Sequence, residues 1–374
     1  MKLIDRYIGR QILFTMVFGV SVLSFVLVLG NLFLKLFDVL INHNFPLGMI
    51  LSFIAYILPF SLTYTIPWGF LTAVLLVLGR LSGENELIAM KSSGISITRM
   101  CMPLFFLALV CVGICLWIDI DVAPRAQNNM KNELVKLATE NPLSLFGSDH
   151  IIDEFPGKKI YVEDKQGREL KNIIVYVMDK SANVQQVIFA KTGELETNQD
   201  AVLLHIFDAR FEQRDPDAPM DFSKIHDGIV MTDNVFSIPL KELYEKNKRL
   251  RVPSQKLLPE LLKDMHDLVA EPQTADTKSK LSTIRTEINK RFSFSLASFA
   301  LALIAIPLAI TAHRKETTIG FLFSFMVAFG YFFFSQVATM AQSNPRMHPE
   351  LLIWLPNVVF IIFGSVLFWR LSRQ

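Results

Sequence analysis

Met100-Cys-Met-Pro-Leu-Phe-Phe-Leu-Ala-Leu-Val-Cys-Val-Gly-Ile-Cys-Leu-Trp-Ile118 runs directly into Asp119-Ile-Asp-Val-Ala-Pro124, and the change of character at that junction decides the fold. The first run carries no charge and approaches the ~20 apolar residues needed to cross a ~30 Å hydrocarbon core. Beyond it, charged residues concentrate between Asp119 and Arg291, while both flanks are nearly bare of them. The 374 residues are 51% apolar and only 19% charged, with a mean hydropathy of +0.37. Soluble chains average about 25% charged, so this composition describes membrane segments interrupted by one water-soluble insertion.

Working outward from the junction, five further stretches are long and apolar enough to span: Ile12–Leu34, Ile50–Leu78, Phe292–Ala312, Ile319–Met340 and Leu351–Phe368. The first continues too far for a signal-peptide core, and no small-residue cleavage site follows it. Pro59 and Pro67 in the second predict a kink or tilt. Read linearly, no span holds an acid or a lysine near its middle, which argues against a proton- or sodium-coupled carrier.

Orientation follows from the basic residues of the short loops. One set carries Lys2, Arg6, Arg10, Arg80, Lys91, Arg99, Arg314, Lys315, Arg370 and Arg373, whereas the opposite loops carry Arg346 alone. Both termini are therefore expected in the cytoplasm and residues 122–290 outside. Trp117, Trp354 and Trp369 fall near span ends, as an interfacial aromatic belt requires. The expected organisation is spans one to three over 1–121, a soluble domain over 122–280 and spans four to six over 281–374.

Within the insertion, Ala126–Thr139 predicts an amphipathic helix, and short β-type runs then recur about every ten residues. They are Lys159–Glu163, Asn172–Val177, Gln186–Ala190, Ala201–Phe207 and Gly228–Met231, parted by turns at Asp164–Gly167, Asp179–Asn183, Thr197–Asp200 and Asp215–Pro219. That spacing predicts a small antiparallel all-β unit, a sandwich or a jelly-roll-like domain. A helix over Leu257–Leu268, a polar linker over Glu271–Lys280 and a helix from Leu281 into the fourth span complete the expectation.

Catalytic patterns are missing: no G-x-S-x-G, no H-E-x-x-H and no P-loop are present, and the histidines are scattered. The expectation is a non-enzyme with no cofactor and no metal. Cys111 and Cys115 share a helix face but read as small packing residues, without a histidine or carboxylate beside them in that span. The net charge of +2 says nothing about nucleic acid, since the basic residues gather on no single patch or tail, and no nucleic-acid partner is expected. Lys35 with Asp38, and Glu287 with Arg291, sit at outer span ends. Each pair reads either as a local salt bridge or as a contact for an anionic lipid.

Gly79-Arg-Leu-Ser-Gly-Glu-Asn-Glu-Leu-Ile-Ala-Met-Lys-Ser-Ser-Gly-Ile-Ser96 is the one long loop on the cytoplasmic side. It predicts a short amphipathic helix over 84–93, ended by Gly94, with Leu87 and Met90 on one side. Such a helix between two spans suits docking onto a separate ATPase; the bland reading is a solvated connector.

Here the sequence resembles the lipopolysaccharide-export permeases of the LptF/LptG type. Glu86, Leu87, Met90, Gly94 and Ser96 match the family's loop pattern. Asp5-Arg6-Tyr7-Ile8-Gly9-Arg10, Lys35-Leu-Phe-Asp38 and Val122-Ala-Pro124 look like its LptG side. Glu287-Ile-Asn-Lys-Arg291 with Pro307 resembles the entry to the family's fourth span, and Trp354-Leu-Pro-Asn357 its last.

The resemblance implies an inner-membrane ABC transporter permease that extracts lipopolysaccharide and passes it through its β domain to a periplasmic bridge protein. Its implied partners are a paralogous permease, a cytoplasmic ATPase dimer and that bridge. Glu84, Glu86, Leu87, Met90 and Gly94 become the expected ATPase-coupling residues, and Lys35, Asp38 and Arg291 the expected substrate contacts. The competing readings are a membrane-anchored periplasmic binding or scaffold module, and an enzyme acting on lipid.

Overall fold

The computed structural model describes residues 3–42, 47–140, 149–152, 157–178, 184–197, 201–213, 226–239, 251–272, 274–311 and 317–373. The expected turns at 179–183, at 198–200 and at 215–219, and the loop holding Arg314 and Lys315, lie outside them. Helices α1 (Leu3–Asn42), α2 (Leu47–Gly83), α3 (Glu86–Ser92), α4 (Ile97–Trp117) and α5 (Ala123–Glu140) precede six strands. These are β1 (His150–Ile152), β2 (Lys158–Gln166), β3 (Glu169–Met178), β4 (Val184–Thr197), β5 (Ala201–Gln213) and β6 (His226–Pro239). Helices α6 (Leu258–Ala270), α7 (Ala275–Thr311), α8 (Thr317–Met340), α9 (Pro349–Leu352) and α10 (Leu355–Arg373) follow.

Among the described residues six helical stretches are long and apolar enough to cross a membrane: Leu3–Gly30, Ile50–Gly83, Ile97–Glu133, Ala275–Thr311, Leu322–Met340 and Pro349–Arg373. They coincide with the six expected spans, although the third and fourth are much longer than the apolar runs alone. The polar linker expected over Glu271–Lys280 is already helical from Ala275, because Thr274 caps the helix by accepting from the Thr277 amide at 3.2 Å.

The chain forms two compact units, one of residues Met1–Lys35, Leu47–Asn129 and Val252–Gln374, the other of Leu36–Pro46 and Met130–Arg251. In the first, α7 packs on α2, α4 and α10. Ala297, Ala300, Ala302 and Ala305 are fully buried on α7, and such small side chains let helix backbones approach closely. Gly364 of α10 is one such contact: a Cβ there would lie 2.8 Å from the Leu303 backbone carbon. Phe14, Phe18, Phe25, Phe106, Phe329 and Phe363 point outward instead, the apolar exterior that acyl chains require. Cys111 and Cys115 are buried in this core, the Cys111 sulfur 3.6 Å from that of Met16.

In the second unit the strands form one antiparallel sheet in the order β1-β2-β3-β4-β5-β6. This is the expected inserted β unit, its described strands joined in sequence order. Each anticipated strand run falls inside one of β2 to β6. A crease crosses the sheet. Inward-facing residues alternate normally, then jump by three: Leu170 to Ile173, Ala190 to Gly193, Ile206 to Ala209. The pairs Lys171↔Thr192 and Ile173↔Ala190 flank Asn172 and Lys191; Ala190↔Ala209 and Thr192↔Phe207 flank Lys191 and Asp208. Asn172 and Asp208 have left-handed φ values of 50° and 53°. One aligned row of residues thus resets the two-residue period, so strands of 10 to 14 residues keep a single apolar side past the bend.

Candidate functional site

Two places in the helical unit gather polar side chains around the elements singled out above. The first is α3 with its flanking turns. Asn85, at φ 59°, starts α3, so the helix begins at Glu86 and leaves Glu84 exposed in the preceding turn. Sequence reading began the helix at 84; the left-handed Asn85 interrupts it. At the other end Gly94 takes φ +81°, where its N–H reaches the Lys91 carbonyl and the Ile95 N–H that of Met90. Ser96 then caps α4, accepting from the Arg99 amide.

Tyr7 donates to Glu86 Oε2 at 3.3 Å, and Arg99 pairs with Asp5 at 3.0 Å, so both flanks of the loop are tied to α1. Leu87 is 6% exposed and packs into the chain's own core, with Met90 partly buried against the same cluster. Leu87 thus faces the bundle, and Met90 is half-buried beside it. The outward apolar residue is Ile88, 55% exposed, beside exposed Ala89, Lys91 and Ser92.

The second place is a buried polar layer joining α2, α4 and α7. Pro124 has no N–H to offer, and the helix accommodates it with a π turn over Ile118–Val122, closed by the Ala123 N–H on the Ile118 carbonyl. Asp119 lies on that turn, only 8% exposed. Thr63 donates to its Oδ1 at 2.8 Å; Ser295 lies 3.2 Å from Oδ2 and 2.8 Å from the Arg291 carbonyl.

Arg291, 4% exposed, places Nε 3.6 Å from Glu287 and donates through Nη2 to the carbonyls of Pro253, Ser254 and Lys256, the last at 2.8 Å. Lys290 reaches Glu287 at 3.5 Å. Asp119, Glu287 and Arg291 are thus buried together beside half-buried Lys290, which is tolerable because each charge finds an opposite charge or hydrogen bonds. They enclose a small cavity of about 40 Å³, also lined by Tyr64, Gln127 and Phe294. Nearby, Asn357 donates to the Ser293 carbonyl and accepts from Tyr331, tying α10 and α8 to α7.

The charges of this layer, Asp119 and Arg291, adjoin the ends of the apolar runs Met100–Ile118 and Phe292–Ala312 rather than their middles. Asp119 had been read as the first residue outside the third span, yet the helix runs through it. Arg291, expected to meet substrate, is turned inward to clamp the 253–256 segment. Lys35 and Asp38 lie on α1, and their side chains fall outside the described ones. A signal for Asp119 was present: Cys111, Cys115 and Asp119 recur every four residues, and so do Arg291 and Ser295 opposite them.

The sequence matches the family described as lipopolysaccharide export system permease LptF/LptG over residues 6–370. Among curated proteins it is 19% identical to the lipopolysaccharide export system permease protein LptF of Escherichia coli K12, over 98% of this chain and 94% of that one. An uncharacterized protein of Rickettsia prowazekii is 21% identical over 71% of each chain. With a match of that extent, on six membrane-length helices and an inserted β unit, the chain belongs to the LptF/LptG family of lipopolysaccharide export permeases.

Proposed function

We propose that the chain is one permease of a lipopolysaccharide-exporting ABC transporter. It pairs with a second permease, receives work from a separate cytoplasmic ATPase and hands lipid to a periplasmic bridge protein through its β unit. The loop around α3 carries this reading. It is a preformed helix, stopped at both ends by left-handed residues and tied to α1, with Ile88, Ala89 and Lys91 left outward. A mere connector has no need of such rigidity, whereas a lever that transmits a partner's motion does. Family membership supports the same reading, as does the apolar exterior of the bundle.

In this scheme both ends of the chain face the cytoplasm and residues 122–290 lie outside. Glu86 pairs with a basic residue of the ATPase, Ile88 enters its apolar groove, and Leu87 and Met90 anchor the lever to the bundle. Lys35 and Asp38 meet the cargo at headgroup depth. The buried Asp119–Arg291 layer keeps three helices moving as one body.

The test is purification from native membranes, followed by reconstitution with the co-purifying chains. A second permease and an ATPase should accompany the protein, and lipopolysaccharide should pass to a β-rich acceptor only with ATP. Recovery without an ATPase, and lipid binding without ATP-dependent release, would make it a membrane-anchored binding module.

A further inference from the structure

Where α1 begins and α2 ends, the two helices leave an open groove of about 710 Å³. Arg6, Arg10 and Arg80 line it, and no carboxylate is among its described lining. Phe14, Leu76 and Val77 line it further along the helices. Phe14 is two turns beyond Arg6, about 12 Å at ~1.5 Å per residue, so the cations sit at the polar end and the apolar wall extends toward the hydrocarbon.

The arginines are partly pre-positioned. Arg10 stacks over the Phe14 ring at 5.5 Å, and Arg80 donates to Gln11 at 2.7 Å. Of the acids close by in sequence or on the neighbouring loop, Asp5 pairs with Arg99 and Glu86 accepts from the Tyr7 hydroxyl. Three like charges around one space repel one another unless an anion joins them. Guanidinium groups suit a phosphodiester, which they can hold by paired hydrogen bonds.

We infer that this groove binds an anionic glycerophospholipid, its phosphate on Arg6, Arg10 and Arg80 and an acyl chain along Phe14, Leu76 and Val77. The inference rests on the proposed topology only in assigning that lipid to the cytoplasmic leaflet. Tyr7 lines the same groove and reaches Glu86, so an occupied groove touches the loop that carries energy coupling.

The test uses the full-length chain in detergent, with phosphatidylglycerol or phosphatidylcholine of matched acyl chains retained on it and counted by native mass spectrometry. Phosphatidylglycerol should be preferred, and each of R6Q, R10Q and R80Q should weaken that preference about fivefold, the contribution expected of one juxtamembrane arginine. R6K and R10K should keep most of it. Equal retention of the two lipids, or an unchanged preference in the glutamine variants, overturns the proposal. So does photocrosslinking of a second permease chain from a benzophenone side chain placed at Thr15 in native membranes, which would give the groove to a protein. Lipid retention is read without ATP or transport, so its failure leaves the permease reading intact, and the reverse also holds.

Discussion

Thr63 from α2 and Ser295 from α7 meet at the Asp119 carboxylate, and the role of that residue depends on what they would do without it. Removing an acceptor from buried donors costs about 1–3 kcal/mol. Asp119→Ala should therefore lower the thermal unfolding midpoint in detergent, and Asp119→Asn, which keeps one carbonyl acceptor, should lower it less. Equal midpoints for wild type and Asp119→Ala would show the layer to be dispensable for stability. Linear reading missed this residue because counting apolar residues ends a span at its first charge, whereas a helix ends only where its hydrogen bonds do. The inward clamp of Arg291 was not legible either, because the three backbone carbonyls its guanidinium reaches are invisible in sequence. Lys35 carries a separate prediction, since a cation at headgroup depth can bind a phosphorylated lipid. Lys35→Glu should weaken photocrosslinking to lipopolysaccharide while the permease pair still assembles. If assembly alone fails, its partner is Asp38 rather than cargo.

At the scale of elements, α3 separates what pattern reveals from what packing decides. Gly94 was legible as a helix stop, because only a residue at ease with positive φ closes this turn without strain. The inward turn of Leu87 was not legible, because either side of a seven-residue amphipathic helix can face the bundle. The outward set now gives a sharper expectation. Glu86→Lys and Ile88→Asp should each reduce ATPase binding and lipid-stimulated hydrolysis. A partly desolvated pair that loses a member costs about 3–5 kcal/mol, against about 0–1 kcal/mol for an exposed one, so Glu84→Lys should be milder. Normal ATPase binding by both Glu86→Lys and Ile88→Asp would reduce α3 to a connector. The strands were legible from their alternation, but the crease was not: it depends on Asn172, Lys191 and Asp208 falling into one row, which is a matter of register. At the sheet's far side, β6 is the outer strand of the described order, with 14 residues available to template another strand. Photocrosslinkers along β6 should trap a β-rich periplasmic partner, and a clean lane there would leave the sheet a display surface.

For the whole molecule, the asymmetry of basic side chains and the six helices make one joint statement about topology. The spans could be counted from sequence because hydrocarbon tolerates no unsatisfied backbone, which forces each crossing to be a long apolar helix. Their lengths could not, since α7 extends polar turns well beyond its apolar part and the third crossing continues through a π turn. Those extensions do not alter the number of crossings, so the alternation of sides survives the correction. Consecutive helices must alternate direction across the bilayer, and the ten basic residues of one loop set choose which alternation is used. Reporter fusions after Gly48, between Ala182 and Asn183 and after Pro345 should therefore read periplasmic, and those after Ser92, Lys315 and Gln374 cytoplasmic. The decisive comparison is between Ser92 and Lys315, which flank the third and fourth crossings together with the entire β unit. Two crossings return the chain to the side it left, so those two fusions must agree with each other and differ from the one at Ala182. Should they disagree, one of the long helices lies along the membrane rather than through it. The β unit and α3 could then still occupy opposite sides, but the last two helices would be inverted and the pairing of permeases would need a different face.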